Sequence, residues 1–158
     1  MNSTKHLKRW IKASFIQEVR KHVEQGVTLF VEGDDKLPAN QKHMELRIDG
    51  PYVRNVGSRG EKCAFIEVNL LGNSTRSEEN RYDRENIQGL LASILDRDFC
   101  IYRTGNVGKE DVDDESIVGT MQLLATDQIK ISDFGLIDTN TEVYQCVAEA
   151  HYEMYFQE

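Results

Sequence analysis

Residues 142–156, EVYQCVAEAHYEMYF, alternate cleanly in side-chain character. One side of this stretch carries apolar or small residues, namely Tyr144, Cys146, Ala148, Ala150, Tyr152, Met154 and Phe156. The other side carries mostly polar residues, among them Gln145, Glu149, His151 and Glu153. Because successive side chains of a strand point to opposite faces, the pattern predicts a long strand with one buried face. Strands usually have about five or six residues, so we expect this one to bend through a bulge or to extend beyond the core of one subunit.

Six further segments are rich in β-branched and aromatic residues or alternate in polarity, which predicts strands. They span residues 27–32, 44–49, 63–71, 99–103, 117–125 and 128–134. Gly50-Pro51 is expected to end the second of them, and residues 57–60 to form a hairpin turn before the third. The third has few polar interruptions and is expected at the centre of a sheet, followed by a loop over residues 72–82. The polar residues of the second segment are expected to face solvent: Glu45, Arg47 and Asp49.

Two segments have the three- and four-residue spacing that places apolar side chains on one face of a helix. The first, residues 3–25, carries this stripe at Leu7, Ile11, Phe15, Val19, His22 and Val23. The second, residues 83–96, carries it at Ile87, Leu90, Leu91, Ile94 and Leu95. The elements follow as helix, strands, helix and strands, without a repeated strand-helix-strand unit. The sequence therefore predicts an α+β fold in which an antiparallel or mixed sheet is covered by two helices, with residues 1–158 forming a single domain.

The composition is that of a folded protein without strong affinity for nucleic acid. The chain has 158 residues, 39% of them hydrophobic and 29% charged, and a formal net charge of −8. Phosphate recognition normally requires clustered Lys and Arg, so this charge argues against nonspecific nucleic-acid binding. The apolar runs are shorter than the roughly 20 residues that a membrane helix needs, so we expect no membrane association. Cys63, Cys100 and Cys146 are odd in number and widely spaced, which favours free thiols over disulfides or a zinc site.

We find no motif that indicates catalysis, a cofactor or a bound metal. Asp133-Phe134-Gly135 matches the metal-binding triplet of protein kinases, but the sequence elements that must accompany it are absent. We interpret the triplet as a strand that ends at a glycine bulge. The four histidines are widely separated and match no zinc-binding or nucleophile-activating motif. If the protein were instead an enzyme acting through carboxylates, the candidates would be Glu67, Asp133 and Glu149, which lie on predicted strands.

Two charged segments are candidates for contacts with partners. An acidic run comprises Glu110, Asp111, Asp113, Asp114 and Glu115. It lacks the glycine and the distant glutamate of a calcium loop, and is either a solvated loop or a surface whose negative charge keeps passing DNA from adhering. A mixed-charge stretch before the second helix includes Arg76, Arg81 and Arg84. It is either solvated or forms salt bridges between subunits.

The layout of the chain resembles that of small phage tail-terminator proteins. The resemblance rests on the amphipathic first helix, on the strand at residues 65–71 (FIEVNLL) and on residues 80–83 (NRYD), which run into the second helix. It also rests on residues 133–135 (DFG) and 143–145 (VYQ), which lead into the last strand. It covers most of the chain.

This resemblance implies a virion protein that has no enzymatic activity or cofactor, assembles in the host cytoplasm and is located in the tail. It implies a six-membered ring that ends the growth of a long, non-contractile tail tube and presents a surface to the head connector. The partners would be further copies of the chain, the tail tube protein and the head connector protein, with DNA passing through the ring without specific binding. By the same analogy the acidic run would face the lumen or a neighbouring subunit, and the last strand would contribute to the ring. The alternative is another small virion protein, such as a tail-completion or head-connector adaptor.

Overall fold

The structure is a computed structural model that describes residues 3–23, 27–31, 43–57, 59–75, 81–103, 117–124, 129–138 and 143–157. Within these residues the chain forms two helices and seven strands. The helices are α1 (Ser3–Arg20) and α2 (Arg81–Leu95). The strands are β1 (Thr28–Val31), β2 (His43–Asn55), β3 (Glu61–Thr75), β4 (Phe99–Tyr102), β5 (Ile117–Leu123), β6 (Lys130–Asp138) and β7 (Val143–Gln157). Neither helix has the length and apolar character needed to cross a membrane.

The seven strands form one mixed sheet in the order β1-β2-β3-β7-β5-β4, with β6 also pairing with β7. Strands β1 and β2 are parallel, and the other pairs are antiparallel. The prediction of an antiparallel or mixed sheet with two helices is thus confirmed in its mixed form. The strand predicted to be central is confirmed as well, because β3 has β2 on one side and β7 on the other.

Strand β7 is long because it has partners on both edges. Along one edge it pairs with β3 over its whole length, from Val143 opposite Thr75 to Gln157 opposite Glu61, without a shift in register. Along the other edge β6 pairs with its first half, and β5 pairs with it near Tyr152. The bulge expected in this strand is therefore absent from its pairing with β3, and its length is accommodated inside the sheet.

Both helices pack on one face of the sheet, which we call the helix face. Rows of directly opposed side chains supply its apolar surface, such as Leu46, Leu70 and Ala148 across β2, β3 and β7. On α1, Phe15 stacks against Phe99 with ring centroids 4.0 Å apart and meets Tyr152 edge-on at 5.4 Å. These side chains are fully buried, so the core lies between the helices and the helix face.

Two contacts fix α2 on this face. The Tyr152 hydroxyl donates a hydrogen bond of 2.5 Å to the backbone carbonyl of Leu95, in the last turn of α2. Burial raises the pKa of Tyr152, so its hydroxyl keeps the proton that this bond requires. Nearer the start of the helix, Ile87 and Leu91 lie against Gly72 of β3. A side chain at Gly72 would occupy the space that the helix fills.

Two predicted breaks in the strands are wrong. Strand β2 continues through Gly50-Pro51, because its register with β3 shifts between Asp49 and Tyr52 and this irregularity accommodates a residue without an N–H group. Strand β3 continues to Thr75 where a loop was predicted from residue 72, and α2 already begins at Arg81. The polar residues at the end of β3 are paired with β7 and β2, and this tertiary pairing overrides their local preference for loops.

The assignment of Glu45 to a solvent-exposed face is also wrong. Glu45 is only 2% exposed. The carboxylate of Glu45 accepts hydrogen bonds of 2.7 and 3.2 Å from the guanidinium of Arg47, its neighbour along the same face of β2. A buried carboxylate requires such a partner, since burial without one is energetically costly. Arg47 remains partly exposed, in keeping with its predicted place on the polar side.

Candidate functional site

Most of the charged residues proposed from the sequence lie outside the described residues. This applies to the acidic run Glu110, Asp111, Asp113, Asp114 and Glu115, and to Arg76, so the roles predicted for them stay predictions. Arg81 and Arg84 lie in the first turn of α2. The surfaces that the structure does describe are an open sheet edge, a polar sheet face and a cleft beside α1.

One open sheet edge is β6, besides the strands β1 and β4 at the ends of the sheet. Among the described strands only β7 pairs with β6, so the outer backbone edge of β6 has no described partner. Three large apolar side chains of this strand are exposed: Ile131 by 42%, Phe134 by 58% and Leu136 by 40%. A long edge strand with exposed apolar side chains is a surface on which another strand or another subunit can assemble.

Strand β6 is shaped by an irregularity at the sequence Asp133-Phe134-Gly135. Its register with β7 shifts between Asp133 and Gly135, and Gly135 has a φ of +64°, which glycine tolerates best. The predicted glycine bulge is thus confirmed, but the strand does not end there and continues to Asp138. Phe134 is the extra residue at this irregularity, and its exposure makes it the most prominent apolar side chain of the edge.

Asp133 is held by structural hydrogen bonds. One carboxylate oxygen accepts a bond of 2.8 Å from the backbone N–H of Gly135, and the other accepts a bond of 3.1 Å from the side-chain amide of Gln88 on α2. The side chain therefore ties α2 to β6 on the helix face. Of the three carboxylates considered for an enzyme, Asp133 is separated from the other two by the thickness of the sheet.

The other two carboxylates, Glu67 and Glu149, come together on the opposite face, which we call the polar face. Glu67 on β3 lies directly opposite His151 on β7, and Glu149 precedes His151 by two residues on the same side of the strand. One potential ligand atom from each of these three residues lies within 4.8 Å of the others. The Nε2 atom of His151 is 3.2 Å from a carboxylate oxygen of Glu149.

The polar face has excess negative charge around this cluster. Asp49 on β2 is the partner of Glu67 in the register and accepts a hydrogen bond of 2.9 Å from the hydroxyl of Tyr52. That hydrogen bond, together with the negative charges of Asp49 and Glu67, raises the pKa of Tyr52. Glu67 itself accepts a bond of 3.3 Å from the amide of Asn69. Lys130 on β6 lies opposite Glu149 in the register, so one lysine faces the three carboxylates Asp49, Glu67 and Glu149.

His151 is only partly satisfied by the protein. Its Nδ1 atom is buried and has no hydrogen-bond partner among the described residues. A buried ring nitrogen without a partner is energetically unfavourable in a residue that serves structure alone. The ring also lies near Phe65, with centroids 5.6 Å apart, so it is held between an apolar neighbour and the two carboxylates.

A second polar group on the same face has the character of a structural network. The amide of Asn73 lies 3.2 Å from Nε2 of His43, and its carbonyl oxygen accepts a bond of 3.0 Å from the side chain of Gln145. These residues occupy one row across β2, β3 and β7. Because these three side chains are joined to one another by hydrogen bonds, the row stabilises the pairing of the three strands.

The cleft beside α1 has a volume of about 340 Å³ and lies between that helix and the segment 98–102. Glu18 at its rim accepts hydrogen bonds of 3.2 Å from Lys21 and 3.4 Å from His22. Partial burial raises the pKa of Glu18, but these two hydrogen bonds outweigh burial and leave its pKa lowered. Cys100, at the wall of the cleft, is exposed, and no hydrogen bond joins it to a histidine of the described chain.

Sequence reasoning identified Glu67 and Glu149 but not their association with His151. The spacing of Glu149 and His151 does place both on one side of a strand, and the sequence contains that signal. The position of Glu67 opposite them depends on the register between β3 and β7, which joins residues 84 positions apart in the chain.

Comparisons with known proteins identify a fold and no family. The chain matches no family model and no curated protein. Ten solved chains match it in structure. One of them, whose name states no function, aligns with a TM-score of 0.55 and 11% sequence identity, over 96% of this chain and 97% of its own. At this identity the similarity shows that another protein has the same overall fold along nearly its whole length.

Proposed function

We propose that this protein is a structural subunit of a phage tail, which assembles as a ring on the finished tail tube and ends its growth. The observation that carries the proposal is the open edge of β6 with its three exposed apolar side chains. The resemblance in layout to tail-terminator proteins supplies the identity of the assembly.

The edge of β6 suits association with another protein of the same kind. Its backbone N–H and C=O groups can extend the sheet into a neighbouring subunit, while Ile131, Phe134 and Leu136 supply apolar contact area. Burying apolar surface contributes about 25 cal/mol per Å² before the cost of association is subtracted. A ring requires that this edge bind a different surface of the next copy, since repeated heterologous contacts close into a ring when the rotation fits.

The proposed partners follow from the resemblance to tail-terminator proteins. They are further copies of the chain in a hexamer, the tail tube protein below the ring and the head connector above it. The formal net charge of −8 is compatible with DNA that passes through the ring without adhering to it. The protein would assemble in the host cytoplasm and remain in the tail of the virion, with neither a cofactor nor an enzymatic activity.

The mass of the purified protein, measured by light scattering over a range of concentrations with and without purified tail tubes, tests the proposal. The matched variants are Phe134→Asp on β6 and Tyr155→Asp on β7, because both side chains are exposed, by 58% and 46%. We expect the wild type and Tyr155→Asp to form hexamers, alone or on the tube, and Phe134→Asp to remain monomeric. Circular dichroism establishes that both variants are folded.

Two results would contradict the proposal. One is a wild-type protein that stays monomeric and does not bind tail tubes at any concentration. The other is a Phe134→Asp variant that assembles as well as the wild type, which would exclude the β6 edge as the contact. Binding to the head connector protein alone, without binding to tubes, would favour the head-connector adaptor instead.

A further inference from the structure

We propose that Glu67, Glu149 and His151 on the polar face bind one divalent transition-metal cation of the zinc type. This inference is independent of the proposed assembly through β6. It rests on the position of three ligand atoms within 4.8 Å of one another, on the nature of those atoms and on the rigidity of the strands that carry them.

One of the three distances within the cluster is that of a coordination shell, and the other two are within reach of it. Zinc lies about 2.0–2.2 Å from histidine nitrogen and carboxylate oxygen, so two ligand atoms on one ion are about 3.0–3.5 Å apart. The Nε2 atom of His151 and the carboxylate oxygen of Glu149 are 3.2 Å apart, within that range. Glu67 completes the triangle with an atom no more than 4.8 Å from either, and rotation of its flexible side chain can shorten this distance.

The backbone that carries the ligands is rigid. Strands β3 and β7 pair over fifteen successive residues of each strand without a register shift, and both are interior strands of the sheet. Glu67 and His151 are direct cross-strand neighbours, a relationship that holds their Cβ atoms about 4.5–5.5 Å apart. The three ligands therefore need only side-chain adjustment to meet around one ion.

The charge of the cluster favours a cation. Lys130 on β6 lies opposite Glu149 in the register, but among the described residues no ion pair joins a lysine or arginine to Glu67 or Glu149. Arg47, which is nearby on β2, forms an ion pair with Glu45, in which Nε of Arg47 lies 2.7 Å from Oε1 of Glu45. A divalent cation between the two glutamates would neutralise their charges, which otherwise repel each other at short range.

The ligand types select the class of metal. An imidazole nitrogen suits zinc and its first-row neighbours, whereas magnesium and calcium prefer shells made of oxygen atoms alone. Three protein ligands leave at least one coordination position open on a four-coordinate ion. Solvent can reach that position, because the side chains of Glu149 and His151 are 31% and 24% exposed.

Titration of the metal-free full chain with Zn²⁺, followed by calorimetry, and with Co²⁺, followed by visible absorption, tests this site. We expect one equivalent of Zn²⁺ to bind and Mg²⁺ not to bind. The variants Glu67→Gln, Glu149→Gln and His151→Gln should each weaken binding by about tenfold or more, and each should change the Co²⁺ absorption. The matched controls are Glu153→Gln, which alters the next carboxylate of β7 on the polar face, and His22→Gln, which alters a histidine just beyond the end of α1. Both should bind as the wild type does.

Glutamine has nearly the same shape as glutamate, so Glu67→Gln and Glu149→Gln should fold normally. These two variants still test the metal site if His151→Gln folds poorly. A melting temperature well below that of the wild type, measured without metal, identifies a variant that folds poorly. An absence of Zn²⁺ binding to the wild type would overturn the proposal. Binding that is unaffected by Glu67→Gln and Glu149→Gln, or that is lost equally in Glu153→Gln, would overturn it as well.

Discussion

Replacement of Gly72 by alanine should destabilise the fold, because side chains of α2 occupy the space beside this residue of β3. A Cβ atom at this position would lie 2.6 Å from Cγ2 of Ile87, and 3.3 Å from both Sγ of Cys146 and Cδ1 of Leu91. Carbon atoms in ordinary contact are about 3.5–4.0 Å apart, so the added methyl group overlaps Ile87 by roughly 1 Å. Either the helix moves outward or the side chain of Ile87 leaves its rotamer, and such overpacking costs about 1–3 kcal/mol.

The corresponding change in α2 should have the opposite sign. A Cβ atom added at Gly89 meets no atom within 4 Å. Alanine is more favourable than glycine inside a helix by about 0.5–1 kcal/mol, so Gly89→Ala should stabilise the protein. For a chain of this size each kcal/mol shifts the melting temperature by about 2–4 °C. We therefore expect Gly72→Ala to melt about 2–12 °C lower than the wild type and Gly89→Ala about 1–4 °C higher.

A double-mutant cycle separates the steric overlap from other effects. Ile87→Ala removes the Cγ2 atom that the new methyl group would meet, so the cost of Gly72→Ala should shrink in that background. Residues in contact show coupling energies of about 0.5–3 kcal/mol, which urea unfolding resolves. If Gly72→Ala has no cost, or costs the same with and without Ile87, then the close approach of helix and sheet is not what requires glycine here.

Further predictions concern a hydrogen bond, an ion pair and the thiols. Tyr152→Phe removes one of two donors to the carbonyl of Leu95, which keeps its bond of 2.9 Å from the backbone N–H of Arg97. The variant should therefore lower the free energy of unfolding by about 0.5–1.5 kcal/mol, measured by urea denaturation. The lowered pKa of Glu18 means that its contribution to stability is present above the ordinary pKa of 4.5 and is lost as the pH falls through the folded-state value. Glu18→Gln should therefore be slightly less stable than the wild type at neutral pH and equally stable at strongly acidic pH; a difference that persists in acid would exclude this cause. Cys100 is exposed and the other two cysteines are buried, so a thiol reagent should modify one thiol in the native protein and three after denaturation.

The alternation of residues 142–156 and the spacing of the two helices were sufficient to predict the class of fold. Hydrophobic periodicity is a local property, and it reports which side of an element is buried whatever the element packs against. The hairpin between β2 and β3 was local as well, because a glycine-rich turn joins strands that are neighbours in sequence. For the same reason the sequence indicated that the triplet at residues 133–135 contains a glycine bulge.

Long-range pairing decided the rest. Gly50-Pro51 and the polar end of β3 are local signals for breaks, yet both lie within strands because their neighbours in the sheet hold them there. The alternation of β2 places Glu45 on the polar face, but the side chain is buried and paired with the guanidinium of Arg47. The open edge of β6 likewise depends on which strand lies beside β7, and no local pattern specifies that choice.

The sequence by itself determined that this chain forms amphipathic helices and half-buried strands, because both follow from the order of apolar and polar residues along the chain. Only the tertiary structure decided that Glu67 meets Glu149 and His151, and that Asp133 lies on the other side of the sheet. The physical reason is register: a shift of one residue between β3 and β7 would place Glu67 on the face opposite to Glu149 and His151. That register is fixed by the packing of the whole helix face, to which both helices and most of the strands contribute.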